Sequence, residues 1–252
     1  MTGGRDVTGD VELSVVVPVY DEEGSLAQLL AEIEPVARSI TERYEILFVD
    51  DGSRDGSAEI LDAMQRANPR VAVWRLDRNH GLSSALHCGF HRARGRVIAT
   101  LDADLQNDPA DIPKLYAAVA TGADMACGWR RVRQDPFVKR VSSRIANAFR
   151  SSRTGDGIHD VTCPLKVFRA QVREVFYPFT GLHRFLPTLA QAAGFKVVEV
   201  PVGHRARLHG ASKYGVWNRL FRGLRDLRAV KWMLERRMTY RAERAGGRGD
   251  AA

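Results

Sequence analysis

The sequence predicts an α/β fold, a doubly wound and mainly parallel sheet with helices on both faces. Three observations predict it. The apolar runs "LSVVVPV", "YEILFVD", "VAVWRLD" and "RVIATLD" lack polar alternation, as strands buried on both faces do. The segments between them carry apolar residues at helical spacing. Three of the four runs end in doubled acids, "PVYDEE", "DDGSRDGS" and "DADLQNDP". A parallel sheet collects those acids along its carboxyl edge, where open α/β sheets bind ligands.

Taken in order, "LSVVVPV" is the first strand. A helix over 25–40 follows, with Leu26, Leu29, Leu30, Ile33 and Val36 on one face. "YEILFVD" is the second strand, and "GSAEILDAMQRAN" is a helix that Ser57 is expected to N-cap. "VAVWRLD" is the third strand, "LSSALHCGFHRA" a helix, and "RVIATLD" the fourth strand. "NDPADIPKLYAAVATG" reads as a helix entered at Pro109, with Asp108 as its cap. "ADMACGW" and "KVVEVPVGHRAR" are later strands, and "PFVKRVSSRIANAFRSS" is an amphipathic helix with a basic polar face. From 214 to about 241, Trp217, Leu220, Phe221, Leu224, Leu227, Val230 and Leu234 recur at helical spacing, with arginines on the other face.

Composition is that of a globular protein, with 44% hydrophobic and 27% charged residues among 252. The net charge of +8 is unevenly placed: residues 201–252 hold 13 Lys and Arg against 4 Asp and Glu. Such a segment suits an anionic partner, meaning a membrane surface, a phosphate-bearing ligand or nucleic acid. Cys88, Cys127 and Cys163 form no C-x-x-C pair, which indicates neither a metal knuckle nor a disulfide framework. The odd count and the lack of an export signal imply a reducing cytosol. No run of about eighteen apolar residues occurs, so no spanning helix is expected. The seven histidines show no ligand spacing.

Asp102 and Asp104 lie two apart at a strand end, where they share a face and repel. Carboxylate oxygens in that arrangement suit Mg²⁺ or Mn²⁺, with water and phosphate oxygens completing the shell. For Asp55 and Asp108 alone, a turn or helix cap explains the acid equally well. The chain has neither G-x-G-x-x-G after the first strand nor G-x-x-x-x-G-K-[ST], which disfavours dinucleotide and P-loop folds. A metal-held diphosphate without those loops points to nucleotide-sugar chemistry.

The motifs "VVVPVYDEEGSL", "VDDGSRDGS", "NHGLSSALHCGF" and "TLDADLQNDP" resemble, in order, those of family 2 glycosyltransferases of the GT-A fold. "DVTCPLKVFR", "GLHRFLPTLA" and "HRARLHGASKYG" narrow the resemblance to the polyprenyl-phosphate sugar synthases, which include dolichol-phosphate mannosyltransferase and undecaprenyl-phosphate glycosyltransferases. The resemblance implies that Pro18, Tyr20 and Glu22 line the donor base and ribose and that Asp50 contacts the nucleoside. It implies that Asp102, Asp104 and Gln106 hold the metal and donor diphosphate. Arg130, Lys139 and Ser143 match acceptor-phosphate positions, with Lys139 standing where relatives usually carry Arg. Arg207 and Lys213 match a basic pair that closes on both phosphates. Asp160 matches an aspartate that serves as base or as acceptor-side organiser, and the organiser role is expected here.

The expected reaction is attack by a polyprenyl (undecaprenyl or dolichyl) phosphate on the anomeric carbon of a UDP- or GDP-sugar, with inversion. A phosphate monoester is largely dianionic near neutral pH, so a strong base is less necessary than for a hydroxyl acceptor. The catalytic set is then Asp102, Asp104, Asp160 and Arg130. Two alternatives are a saccharide or protein hydroxyl acceptor, which needs a true base, and a nucleic-acid-binding protein. The second is disfavoured by acid-lined strand ends and by the lack of a binding motif. Residues 1–11 and 242–252 are expected to be disordered and 12–212 to form the catalytic domain. Within it, 136–153 is expected to form an interface helix. Residues 213–241 are expected to follow as a basic helix at the membrane interface, the alternative being that its apolar stripe packs on the protein itself. The expected location is the cytosolic face of the membrane, reached peripherally or through a separate membrane partner.

Overall fold

A computed structural model describes residues 11–131, 155–205 and 216–237, with the side chains of 216–224 outside the description. The expected interface helix at 136–153, both termini, and Lys139, Ser143, Arg207 and Lys213 therefore lie outside the described residues.

Seven strands form one sheet: β1 (Leu13–Val19), β2 (Tyr44–Asp50), β3 (Val71–Arg75), β4 (Val97–Thr100), β5 (Met125–Trp129), β6 (Lys166–Arg169) and β7 (Val197–Pro201). Their order is β3-β2-β1-β4-β6-β5-β7. All run parallel except β6, which is antiparallel to both β4 and β5. The helices are α1 (Leu26–Ile40), α2 (Ser57–Ala67), α3 (Leu82–Arg92), α4 (Ile112–Ala120), α5 (Leu186–Ala192) and α6 (Val216–Glu235).

The sheet is doubly wound as expected, and alternation along β1 shows why. Val15 and Val17 belong to a core under α1, α2 and α4, while Val16 belongs to a second core with α3, α5 and α6. Successive strand residues point to opposite faces, so a strand apolar throughout needs helices on both sides. On the second face α3 presses close, because a Cβ at Gly89 would sit 2.4 Å from Val16 Cγ1. Only glycine permits that approach.

Two local expectations change. Ser57 is the first residue of α2, and its cap position is Gly56. Asp55 supplies the bond instead, accepting from Ser57 N at 3.0 Å, while Ser57 Oγ accepts from Glu22 N at 2.9 Å. The strand β6 and helix α5 were not expected as elements. In α6, Leu227 and Val230 are buried in the second core, with Leu234 packed against it. That part of the apolar stripe covers the protein itself, while Trp232 stays 58% exposed.

Candidate active site

The chain winds outward from β1 through β2 to β3, then returns across β1 to β4. Strand order reverses there, which opens a crevice at the carboxyl ends of β1 and β4. The β1–β4 register ends at Val16↔Thr100, so Pro18–Glu22 and Asp102–Gln106 emerge on either side of one crevice. Because β6 runs backwards, its first residue Lys166 faces both Thr100 and Cys127. The segment entering β6, which contains Asp160 and Thr162, therefore reaches this same edge.

The loops after β1 and β2 are cross-braced by the acids that looked doubled in sequence. Asp21 accepts from Arg54 N at 2.7 Å, and Glu23 accepts from Gly56 N at 2.7 Å. Asp55 returns a bond from Glu23 N at 3.2 Å. Asp50 is buried and bound by Arg75 Nε at 3.0 Å and Ser53 N at 2.9 Å. Its neighbour Asp51 accepts from His80 N and Gly81 N at 2.7 and 2.8 Å. Burial raises the Asp51 pKa, and those two N–H groups offset part of the rise. Asp51 thus pins the turn after β3 beside the expected nucleoside pocket.

Asp102 and Asp104 stand together at the end of β4, as expected from their spacing. Burial and the Asp104 charge push the Asp102 pKa up to about 7; Lys166 and Arg130 pull it down, and Glu22 pushes it up again. Three carboxylates are thus gathered against two cations, and an added hard cation would relieve the repulsion. The donor set of two carboxylates and the Gln106 amide is all oxygen, which fits Mg²⁺ or Mn²⁺. No group of three or more His, Cys, Asp or Glu poised for a metal occurs among the described residues, so this set would need water and diphosphate oxygens to complete it. Asp108 is a cap, accepting from Ala110 N at 2.9 Å.

Opposite these acids, Arg130 and Asp160 form a bidentate ion pair, Nε to Oδ2 at 2.8 Å and Nη2 to Oδ1 at 3.0 Å. Arg130 Nη2 also reaches Thr162 Oγ1 at 3.1 Å. Burial opposes the guanidinium charge, but the bonds to Asp160 outweigh it and the Arg130 pKa is raised. Glu199 on β7 fixes the pair from behind, accepting from Asp160 N at 2.9 Å and from His159 N at 3.0 Å. The His159 ring stacks on Trp129 at 4.6 Å between centroids.

Sequence reasoning missed three residues of this edge. Lys166 is a buried lysine whose Nζ donates to the Cys163 carbonyl. Glu199 and Arg205 act through bonds that no local pattern announces. Lys166 lies in the motif "DVTCPLKVFR", but the antiparallel pairing of β6 with β4 and β5 is what brings its charge to bear on Asp102.

Comparison with known proteins fits this geometry. Residues 14–176 match the model of glycosyl transferase family 2. The chain is 42% identical over 205 residues to the undecaprenyl-phosphate 4-deoxy-4-formamido-L-arabinose transferase of Edwardsiella ictaluri, covering 81% of this chain and 63% of that protein. It is 37% identical over 241 residues to the dodecaprenyl-phosphate galacturonate synthase of Rhizobium johnstonii, covering 92% and 70%. The chain thus spans less than two thirds of the first of these relatives. Among solved structures, the glucosyl-3-phosphoglycerate synthase of Mycobacterium tuberculosis, crystallised with Mn²⁺, UDP and phosphoglyceric acid, superposes with a TM-score of 0.67 at 18% identity, over 88% of this chain and 78% of that one. That likeness concerns the GT-A fold alone. The chain belongs to glycosyl transferase family 2.

Proposed function

We propose that the protein transfers a sugar, with inversion, from a nucleotide-sugar donor to a polyprenyl phosphate. The observation that carries this reading is the confrontation of two charge groups across one crevice. Asp102 and Asp104 stand on the β4 side, and the Arg130–Asp160 pair stands on the β5–β6 side. The relatives named for undecaprenyl- and dodecaprenyl-phosphate substrates support the acceptor class.

Asp102, Asp104 and Gln106 would hold Mg²⁺ or Mn²⁺. When bound, that ion would act as a Lewis acid for the charge that develops on the leaving diphosphate. Pro18, Tyr20, Glu22 and Asp50 are assigned to the donor side in this reading, with Asp50 buried and bound to Arg75 and Ser53 N. On the acceptor side, Arg130, Lys139, Ser143, Arg207 and Lys213 bring a second anion to the first, which is the main electrostatic cost of joining two phosphates. Asp160 is an organiser in this reading. Its carboxylate already binds Arg130 twice and Thr162 at 3.0 Å, an arrangement suited to aiming a guanidinium.

Access to a lipid acceptor from the cytosolic membrane face fits the chain's basic C-terminal segment. No helix among the described residues is long and apolar enough to cross a membrane. An acceptor competition tests the reading. With a donor panel and Mn²⁺, undecaprenyl phosphate is expected to be glycosylated in preference to monosaccharides and hydroxyl peptides. Preferred transfer to a hydroxyl would overturn it.

A further inference from the structure

Two residues other than glycine adopt the left-handed backbone region among the described residues, Asp21 at φ 53° and Leu105 at φ 59°. They flank the crevice. Asp21 is a residue type that tolerates this region, but Leu105 is not, and such a conformation persists only where its surroundings over-determine it. Leu105 lies between Asp104 and Gln106, so its backbone sets how those two side chains diverge.

Three kinds of contact hold this turn. The Leu105 side chain is buried, at 1% exposure. From within, Asp104 Oδ1 accepts from Gln106 N at 3.1 Å. From outside, Arg205 grips the turn at two places. Its backbone N donates to the Gln106 carbonyl at 2.9 Å, and its guanidinium binds Asp108 Oδ2 at 2.7 Å. The other arm of the same guanidinium binds Glu32 Oε2 on α1 at 2.7 Å, which ties the turn to the body of the domain. Just before it, Gly203 N donates to Asp111 Oδ2 at 2.8 Å, so the exit of β7 is sewn to this segment along its length.

We infer that Arg205 is a positioning residue that holds the 104–108 turn in the conformation that receives the divalent cation. The inference rests on the proposed role of Asp102, Asp104 and Gln106. A lone, partly exposed ion pair contributes little. Arg205 differs because its two carboxylate partners belong to different elements and its own backbone closes the strained turn. Residues that orient metal ligands commonly change metal affinity 10- to 100-fold when replaced.

The test is direct Mn²⁺ binding, followed by electron paramagnetic resonance with UDP and, separately, with GDP present. Arg205→Gln is expected to bind Mn²⁺ roughly tenfold more weakly than the wild type, with Arg205→Lys in between because lysine keeps the charge but loses the fork. Asp108→Asn, which retains its capping oxygen, should weaken binding in the same direction, and it decides the matter if Arg205→Gln fails to fold. Arg43→Gln, which weakens a partly exposed ion pair with Glu12, should bind as the wild type does. Unchanged Mn²⁺ affinity in folded Arg205→Gln, or in Asp108→Asn where Arg205→Gln does not fold, overturns the positioning role alone. Absence of Mn²⁺ binding in the wild type overturns the metal site and the inference with it.

Discussion

Arg130 and Asp160 meet in a nearly buried, two-pronged ion pair, their side chains 12% and 2% exposed. Removing one partner leaves an uncompensated charge in a low-dielectric setting, which typically costs about 3–5 kcal/mol. Asp160→Asn should therefore lower the melting temperature by upwards of about 6 °C. It should raise KM for the lipid phosphate more than KM for the donor, because Arg130 loses its aim. Turnover should be slowed and its pH profile should keep its shape. Complete loss of turnover with an intact fold would instead identify Asp160 as a base.

The metal-free protein should be sensitive to pH through Asp102. Its pKa, raised from the ordinary 3.8 to about 7, means that the folded protein binds this proton more tightly than the unfolded chain does. The stabilisation from that proton is complete below about pH 4 and is lost as the pH rises to about 7. The span is worth at most about 4 kcal/mol, trimmed by the partial exposure of Asp102 to the crevice. In the presence of a chelator, Asp102→Asn should match the wild type's melting temperature near pH 4 and exceed it at pH 8. Metal binding by the wild type should weaken as the pH falls below about 7, since proton and cation compete. Lys166→Met removes a cation that favours ionised Asp102, and should move that midpoint to higher pH.

Asp21 offers a backbone test. Its φ of 53° suits Asn as well as Asp, and an Asn oxygen can still accept from Arg54 N. Asp21→Asn should stay within about 0.5 kcal/mol of the wild type. Asp21→Ala should cost about 1 kcal/mol or more, because it loses both the local fit and the brace. Chemical denaturation measures both.

Much of this architecture is legible in the sequence because it depends on short-range pattern. The unbroken apolar runs of β1 and β2 announce burial on both faces, and the D-x-D of Asp102 and Asp104 announces a shared face. Asp108 reads correctly as a cap because capping is local, although what it caps is a 3₁₀ turn, Pro109–Asp111, that leads into α4. The strand β6 does not read, since its four residues "KVFR" become a strand only by pairing with β4 and β5. Lys166 is opaque for the same reason, a lysine in sequence being a solvated residue until a sheet closes over it. Arg205 and Glu199 act on residues about 100 and 40 positions away, beyond any local rule. The stripe of α6 is visible as a stripe, but only packing decides that Leu227 and Val230 face inward.

The most direct measurement is formation of glycolipid from undecaprenyl phosphate and a panel of labelled nucleotide sugars with Mg²⁺ or Mn²⁺, run in parallel on the wild type and Asp104→Asn. One donor should give a wild-type product that chelator abolishes, and Asp104→Asn should reduce it at least 100-fold while melting at or above the wild-type temperature, because a like-charge contact is gone. Glycolipid formed equally well by folded Asp104→Asn, or no glycolipid from any donor with folded wild type, would contradict the account.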